Sequence, residues 1–151
     1  MKDNIVTIAM KELGTAENPA QSNLQRYGEW YGKNGVAWCA IFVSWVYAQA
    51  GIKWPKILET EKGFAWCPTL QIRAKQNDWV TLTPEPGDVV LYDWDGDTKP
   101  DHVGIFKRWL KAGITFEAIE GNTSHGNNSN GGIVMLRERK LSQVLMFVKV
   151  C

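Results

Sequence analysis

The hydrophobic pattern places helices in the first half of the chain. Apolar residues from Asp3 to Leu13 recur at helical spacing, and Gly14 follows where that helix should end. The segment from Ala37 to Ala50 is apolar on most of its circumference, which predicts a buried helix. A proline at the first helical position predicts a short third helix from Pro68 to about Lys75.

The second half of the chain changes to short β-rich segments that are separated by turn residues. Five of these segments are predicted as strands: Asp88 to Tyr92, His102 to Trp109, Ile114 to Glu120, Ile133 to Arg139 and Val144 to Val150. Helices followed by strands indicate an α+β fold, with N-terminal helices packed on an antiparallel sheet of about five or six strands. Because 151 residues are typical of one domain, we expect residues 1–151 to form a single domain.

Composition and charge limit the classes of partner. Seventeen basic and sixteen acidic residues give a formal net charge of +1, so we expect no nucleic acid partner. The longest apolar stretch runs from Val36 to Ala48 and is shorter than the roughly 20 residues that a membrane helix needs, so we expect no membrane insertion. The first residues lack the apolar segment of a signal peptide, so we expect synthesis in a reducing cytoplasm with free thiols.

The three cysteines, Cys39, Cys67 and Cys151, are too widely spaced for a metal knuckle and cannot all pair within one chain. Cys39 lies in the first turn of the predicted buried helix. There, unpaired backbone N–H groups and the helix dipole favour a thiolate and can also stabilise an oxyanion. Its position alone leaves two interpretations, a catalytic nucleophile or a small buried hydrophobic residue.

A thiol nucleophile needs a base, and the chain contains two histidines. His102 begins a predicted strand, which would hold its imidazole in a fixed position. His125 lies in the Gly-, Asn- and Ser-rich stretch 121–132, where no predicted helix or strand holds it. Because catalysis needs a fixed imidazole, His102 is the better candidate.

The predicted hairpin after His102 adds two polar residues to this candidate site. If the hairpin loop is the three residues from Leu110 to Ala112, His102 lies opposite Glu120, and Asn122 lies on the same face. Either side chain would then be able to orient the imidazole. A two-residue turn would instead place Glu120 opposite Val103. The alternative interpretations are an exposed strand end for Glu120 and a turn residue for Asn122.

The loop before His102 is strongly acidic. Its spacing imitates the first part of a calcium-binding EF-hand loop, with carboxylates at Asp93, Asp95, Asp97 and Asp101. The match is partial, because glycine stands at position 4 instead of 6 and Gly104 occupies the place of the bidentate glutamate. Two interpretations stay open, a structural Ca²⁺ site and a solvated acidic hairpin. In either case we expect the chemistry itself to require no cofactor.

Four motifs occur in a distinctive order: Trp38-Cys39-Ala40 opening an apolar helix, Pro86-Gly87-Asp88-Val89-Val90, Asp101-His102-Val103-Gly104-Ile105, and Glu120-Gly121-Asn122-Thr123. Together they resemble the CHAP family of cysteine- and histidine-dependent amidohydrolases and peptidases, which is related to NlpC-type peptidases and to the papain-like fold. The resemblance extends roughly from Ala37 to the C-terminus. It implies a papain-like CHAP fold and a single catalytic domain.

The resemblance also implies a function and roles for individual residues. The expected activity is that of an endolysin-type peptidoglycan hydrolase, either an N-acetylmuramoyl-L-alanine amidase or an endopeptidase that cuts the stem or cross-bridge. Cys39 would be the nucleophile and His102 the general base. Glu120 and Asn122 would orient the histidine or help to stabilise the oxyanion. Cys67 matches no position of the family and is interpreted as structural, with a nucleophile as the alternative.

Other biological roles fit the same residues. A phage tail-associated lysin or an antibacterial effector amidase would have the same fold, and a cytosolic peptidase or deamidase would use the same thiol chemistry. A non-catalytic module that binds the cell wall through tryptophans and calcium is a further alternative. The endolysin interpretation implies synthesis in the bacterial host cytoplasm and action on the wall after release. Its expected partners are peptidoglycan and a separate wall-binding domain or subunit outside this chain.

Overall fold

The computed structural model describes residues 2–55 and 58–150. This part of the chain contains four α-helices: α1 (Asp3–Met10), α2 (Arg26–Tyr31), α3 (Cys39–Gln49) and α4 (Cys67–Gln76). It also contains six strands: β1 (Val80–Thr81), β2 (Val89–Tyr92), β3 (His102–Lys111), β4 (Thr115–Thr123), β5 (Ile133–Lys140) and β6 (Val144–Val148). The strands form one sheet in the order β1-β6-β2-β3-β4-β5, and all neighbouring strands are antiparallel. The predicted α+β fold is confirmed.

The predicted elements are present with ends shifted by up to three residues, but two short elements, α2 and β1, were not predicted. Helix α2 lies in the segment that was expected to be a polar loop. Its N-cap is Gln25, whose side-chain carbonyl accepts a hydrogen bond from the Gly28 N–H at 2.8 Å. Glutamine is not among the preferred N-cap residues, which explains why the sequence pattern did not indicate this helix.

Helix α3 is the centre of the core. It contacts β3 and β4 of the sheet as well as α1 and α2. Because apolar groups surround it, eight of its eleven residues are buried. Burial of each large apolar side chain stabilises the fold by about 1.5–3 kcal/mol. Among the described residues, no helix combines the length and the apolar composition needed to cross a membrane.

Two apolar clusters pack against the sheet. Val103 and Ile105 of β3 belong to the main core with the helices. Since side chains alternate along a strand, His102, Gly104 and Phe106 are directed to the opposite face. Phe106 packs there in a second cluster, which also contains Val90, Tyr92, Phe116, Ala118 and Phe147. His102 therefore begins β3 at the edge of a buried aromatic cluster.

Candidate active site

Cys39 is the first residue of α3, as the sequence predicted. The preceding residue, Trp38, has non-helical dihedral angles and makes no side-chain cap hydrogen bond. Trp38 itself is fixed, because its indole N–H donates to Glu17 Oε2 at 2.9 Å and its ring stacks on Tyr27 at 5.6 Å. The chain is thus locked just before the helix begins, which holds Cys39 in place at the helix N-terminus.

Glycine at position 121 lets the end of β4 approach this helix N-terminus. A Cβ atom at Gly121 would lie 2.7 Å from the Cβ of Phe42 and 2.9 Å from Cζ3 of Trp38. Distances this short do not occur between real side chains, so only glycine fits between the strand and the helix. This close approach brings the polar end of β4 toward Cys39.

His102 and Glu120 are in direct contact, as the sequence predicted, although the register that led to the prediction is wrong. The hairpin loop is 112–114 instead of 110–112, and two irregularities interrupt the pairing of β3 with β4. The observed pairs Ile105↔Ile119 and Phe106↔Ala118 show a register two residues away from the expected one. Because an even shift keeps each side chain on its face, His102 and Glu120 still share one side of the sheet.

The buried carboxylate of Glu120 connects His102 to an arginine. His102 Nε2 lies 3.0 Å from Glu120 Oε1. Arg139 donates from Nε to Oε2 at 2.9 Å and from Nη2 to Oε1 at 2.5 Å. His102 and Glu120 are fully buried, and Arg139 is 3% exposed. The second ring nitrogen of His102, Nδ1, is buried and makes no hydrogen bond with any described residue.

Sequence reasoning did not identify Arg139. On β5 it pairs with Phe116, four residues before Glu120 on β4, and the side chains of Arg139 and Glu120 extend toward each other and meet. Its guanidinium lies over the rings of Tyr92 and Trp94, with centroids 5.5 and 4.9 Å away. These contacts depend on the register between β4 and β5, which the hydrophobic pattern alone does not determine.

Asn122 is buried, but its hydrogen bonds lead away from His102. Its Nδ2 donates to Asn130 Oδ1 at 3.3 Å, and its Oδ1 accepts from the Gly132 N–H at 3.1 Å. No described hydrogen bond joins its side chain to His102. Asn122 therefore holds the loop after β4, and its direct role in the chemistry stays a prediction. His125, in the same loop, is exposed.

The surroundings of Cys39 and His102 lower the pKa of the thiol and raise the pKa of the imidazole. The hydrogen bond from the Cys67 thiol is the strongest influence on Cys39 and, with the positive charge of His102, lowers its pKa well below the usual value despite burial. Burial opposes a charged His102. The neighbouring Cys39 thiolate and Glu120 carboxylate nevertheless outweigh it and raise the pKa of His102 to about 9. Together these shifts favour a thiolate–imidazolium pair near neutral pH.

The charge of Glu120 is held in the same way. Burial alone would raise its pKa, but hydrogen bonds from Arg139 and His102 lower it to about 2. Glu120 is therefore a carboxylate over the whole range in which the protein would work. A buried carboxylate that accepts from His102 Nε2 fixes the imidazole, leaving Nδ1 as the nitrogen for proton exchange with the thiol.

Cys67 lies beside the candidate nucleophile. Its Sγ is 3.9 Å from Cys39 Sγ, and both residues are 7% exposed. Cys67 is the first residue of α4, one residue before the predicted start at Pro68. No sequence pattern indicates this contact, because the two cysteines are 28 positions apart and the described residues between α3 and α4 form no further helix. Cys151 lies outside the described residues.

A cavity of about 700 Å³ is lined by residues that lie close to the two cysteines in the chain. Trp66 directly precedes Cys67, and Ala37 lies two residues before Cys39. The full lining is Lys33, Asn34, Val36, Ala37, Glu59, Ala65, Trp66 and Thr69. Trp66 is 64% exposed, which is unusual for so large an apolar side chain. This cavity has the size and the mixed apolar and charged lining of a small-molecule or peptide cleft.

The four aspartates of the acidic loop converge. One carboxylate oxygen from each of Asp93, Asp95, Asp97 and Asp101 lies within 4.8 Å of the others, which fits a hard cation. The same carboxylates also accept backbone N–H groups, for example Gly96 N–H to Asp93 Oδ1 at 2.9 Å and Trp94 N–H to Asp101 Oδ2 at 2.7 Å. These hydrogen bonds hold the loop without a cation, so both sequence interpretations remain.

Comparison with known proteins supports the relationship that the motifs indicated. A family model described as CHAP domain matches residues 30–122, a span that includes Cys39, His102, Glu120 and Asn122. The fold is similar to a solved structure described as the crystal structure of Ly7917, with a TM-score of 0.56 and 12% sequence identity. That similarity covers 99% of the present chain but 62% of the other chain. None of the curated proteins compared shows a significant match.

Proposed function

The chain belongs to the CHAP domain family, a family of peptidoglycan amidases and peptidases, and from this membership we propose that it hydrolyses an amide bond of bacterial peptidoglycan with Cys39 as the nucleophile. The proposed role is that of an endolysin-type enzyme, made in the host cytoplasm and acting on the wall after release. The proposed bond is either the N-acetylmuramoyl-L-alanine amide or a peptide bond of the stem or cross-bridge.

One observation carries the proposed mechanism. Cys39 begins a buried helix and interacts electrostatically with His102. The buried Glu120 carboxylate binds Nε2 of the same imidazole at 3.0 Å. The nucleophile Cys39, the base His102 and the orienting group Glu120 are therefore arranged in series, each next to the following one, as in other thiol hydrolases. The ion pair with Arg139 holds the carboxylate in turn.

The first half of the proposed reaction is acylation. The Cys39 thiolate attacks the carbonyl carbon of the scissile amide, and the negative charge moves to the carbonyl oxygen. Backbone N–H groups at the start of α3, including that of Cys39, are suited to stabilise this oxyanion. His102 Nδ1–H then gives its proton to the departing amine, the C–N bond breaks, and a thioester remains on Cys39.

The second half of the proposed reaction returns the enzyme to its starting state. His102 Nδ1, now neutral, accepts a proton from a water molecule that attacks the thioester carbonyl. The C–S bond breaks, the carboxylic acid product leaves, and the thiolate–imidazolium pair forms again. Glu120 keeps its charge throughout and stabilises each imidazolium that forms, because its pKa is held at about 2.

The cavity that is lined by Ala37 and Trp66 is the proposed binding cleft for the substrate. The indole of Trp66 offers an apolar face for a sugar ring or a peptide side chain. Lys33 and Glu59 supply charges of both signs to the same cavity. Peptidoglycan stems contain carboxylate and amine groups, so a cleft with both charges fits this substrate class. A separate wall-binding domain or subunit remains a proposed partner.

The acidic loop is a proposed structural Ca²⁺ site with no part in the chemistry. Asp101 directly precedes His102, so a cation held by this loop would fix the start of β3. When bound, Ca²⁺ would neutralise the converging carboxylates of Asp93, Asp95, Asp97 and Asp101.

Fragment analysis tests the proposed function. Purified peptidoglycan is digested with the protein, and the soluble products are identified by mass spectrometry. Release of free stem peptides together with peptide-free glycan would assign the amidase activity, and cleaved stems or cross-bridges would assign an endopeptidase. Binding to peptidoglycan with no released fragment would support the non-catalytic wall-binding module instead.

A further inference from the structure

The mechanism proposed above uses one of two cysteines that lie in contact. Cys39 Sγ and Cys67 Sγ are 3.9 Å apart, and each cysteine is the first residue of its helix. The N-termini of α3 and α4 thus meet at a pair of thiols, and Cys67 forms no bond to the substrate in the proposed reaction.

Hydrogen bonds from one side chain of α3 hold the chain shortly before α4 and so support the contact between the two cysteines. Ser44 of α3 donates from Oγ to the Phe64 carbonyl at 2.9 Å and accepts from the Phe64 N–H at 3.0 Å. Phe64 lies three residues before Cys67, so these hydrogen bonds fix the approach to α4. Glycine at position 63 is required there, because a Cβ atom would lie 2.4 Å from Ser44 Oγ.

The two thiols differ in their charged neighbours. His102 carries the positive charge beside Cys39, which favours a thiolate on that residue. The hydrogen bond that the Cys67 thiol donates to Cys39, together with burial and the negative charges of the Cys39 thiolate and Glu59, raises the pKa of Cys67 well above the usual value. Glu59 is fixed in place, because its Oε2 accepts the N–H groups of Ala65 and Trp66 at 3.2 and 3.0 Å. Cys39 is therefore the thiol that reacts first with an oxidant, and Cys67 is the thiol that reacts second.

The two cysteines are not completely enclosed. Both cysteines are slightly exposed, at 7%, and the 700 Å³ cavity is lined by Ala37 and Trp66, close to them in the chain. A disulfide needs its sulfur atoms at about 2.0 Å, so the two must move closer by roughly 1.9 Å from their present separation. A reactive thiolate with a second thiol in contact is the usual arrangement of a reversible cysteine oxidation site.

We propose that Cys39 and Cys67 form a reversible disulfide that switches the active site off in the presence of a peroxide. The Cys39 thiolate attacks hydrogen peroxide, the O–O bond breaks, and Cys39 becomes a sulfenic acid. The hydroxide that leaves takes the proton of the His102 imidazolium and becomes water. Cys67, as it loses its proton, attacks that sulfur, the S–O bond breaks, and water leaves. Two thiols and one peroxide thus give one disulfide and two waters. Loss of activity in this scheme rests on the proposed role of Cys39 as nucleophile.

The disulfide also has a protective consequence. A sulfenic acid that finds no second thiol is oxidised further to sulfinic acid, which ordinary thiol reductants do not reverse. Cys67 is expected to trap the sulfenic acid before that step. A reductant such as dithiothreitol then restores both thiols and the activity.

The test compares a protein that contains both Cys39 and Cys67 with a variant that lacks Cys67. Both proteins carry Cys151→Ser, so that the third cysteine cannot interfere. Each protein is treated with hydrogen peroxide and then with dithiothreitol, and peptidoglycan hydrolysis is measured at each stage. Peptide mapping under non-reducing conditions follows the Cys39–Cys67 cross-link. Cys67→Ser is the main variant, and Cys67→Ala replaces it if the serine protein fails to fold.

The proposal predicts that the cysteine pair forms the cross-link, loses at least about tenfold in activity and regains most of it with dithiothreitol. Cys67→Ser should lose activity to the same oxidant, accumulate sulfinic acid on Cys39 and recover little. Absence of the cross-link, or equal recovery with and without Cys67, would overturn the proposal. If the reduced protein has no hydrolytic activity but still forms the cross-link with hydrogen peroxide, the oxidation site is supported and the proposed function is refuted.

Discussion

Arg139 binds both carboxylate oxygens of Glu120, at 2.9 Å from Nε and 2.5 Å from Nη2. Such a two-point contact fixes the plane of the carboxylate as well as its position. The same carboxylate also accepts a hydrogen bond from His102 Nε2. Arg139 on β5 therefore helps to set the orientation of the imidazole on β3. The proposed base is therefore held by residues from three adjacent strands.

Removal of the Arg139 side chain should lower the free energy of unfolding. Arg139→Gln leaves Glu120 as a buried carboxylate without its main partner, and breaking a buried ion pair in this way destabilises a protein by about 3–5 kcal/mol. The free energy of unfolding, measured in urea, should fall by that amount. Arg108→Gln is the matched control, because Arg108 pairs with Glu117 while its side chain is 60% exposed. That variant should change stability by less than about 1 kcal/mol. Equal effects of the two substitutions would contradict the importance of the buried pair.

Stability should depend on the ionisation of Glu120 at low pH. Its pKa is about 2 in the folded protein and close to 4.5 when unfolded, so the unfolded chain binds more protons between these values. The stabilisation is therefore complete above about pH 4.5 and is lost as the pH falls toward 2, by roughly 3 kcal/mol. Urea unfolding at successive pH values measures this slope. Glu120→Gln should show a shallower slope in this window, and an unchanged slope would refute the assignment.

A methyl group at position 104 should disturb the site without replacing any of its polar residues. A Cβ atom at Gly104 would lie 2.6 Å from Glu120 Cγ, so Gly104→Ala must push the carboxylate away from His102. Misplacement of a catalytic group by about 1 Å reduces rates on the order of 10²-fold. The rate of peptidoglycan hydrolysis should fall accordingly, while circular dichroism stays unchanged. Gly126→Ala is the control, because nothing lies within 4 Å of its Cβ position, and it should retain full activity.

The proposed calcium site makes a prediction about thermal stability. A ligand that binds the folded state at a hundred times its Kd stabilises it by about 2.7 kcal/mol, so Ca²⁺ should raise the melting temperature and a chelator should lower it. The double variant Asp95→Asn, Asp97→Asn should lose this response, and Asp78→Asn, outside the loop, should keep it. Equal melting temperatures with Ca²⁺ and with chelator would leave the loop as a solvated acidic hairpin.

The sequence predicted the contact of His102 with Glu120 because strand alternation tolerates an even error in register. The expected loop was two residues too early, yet both side chains stayed on the same face. Cys39 was predicted at a helix N-terminus because a long apolar segment with a following glycine defines a buried helix well. These features depend on periodicity, which a single sequence contains.

Arg139 and Cys67 could not be predicted in the same way. The contact of Arg139 with Glu120 depends on the pairing of β4 with β5, and an irregularity between Glu120 and Thr123 interrupts that pairing. The position of Cys67 beside Cys39 depends on the hydrogen bonds between Ser44 and Phe64, which hold the chain three residues before α4. Both contacts are tertiary, and neither has a signature in spacing or composition.

The most direct test of the proposed function is the release of soluble fragments from purified peptidoglycan by the native chain and by Cys39→Ala. The variant removes only the reacting sulfur, and circular dichroism and urea unfolding verify that it is folded. The mechanism predicts release by the native protein and a loss of at least about 10³-fold in Cys39→Ala. Release at the native rate by a folded Cys39→Ala protein would contradict the assignment of Cys39 as the nucleophile.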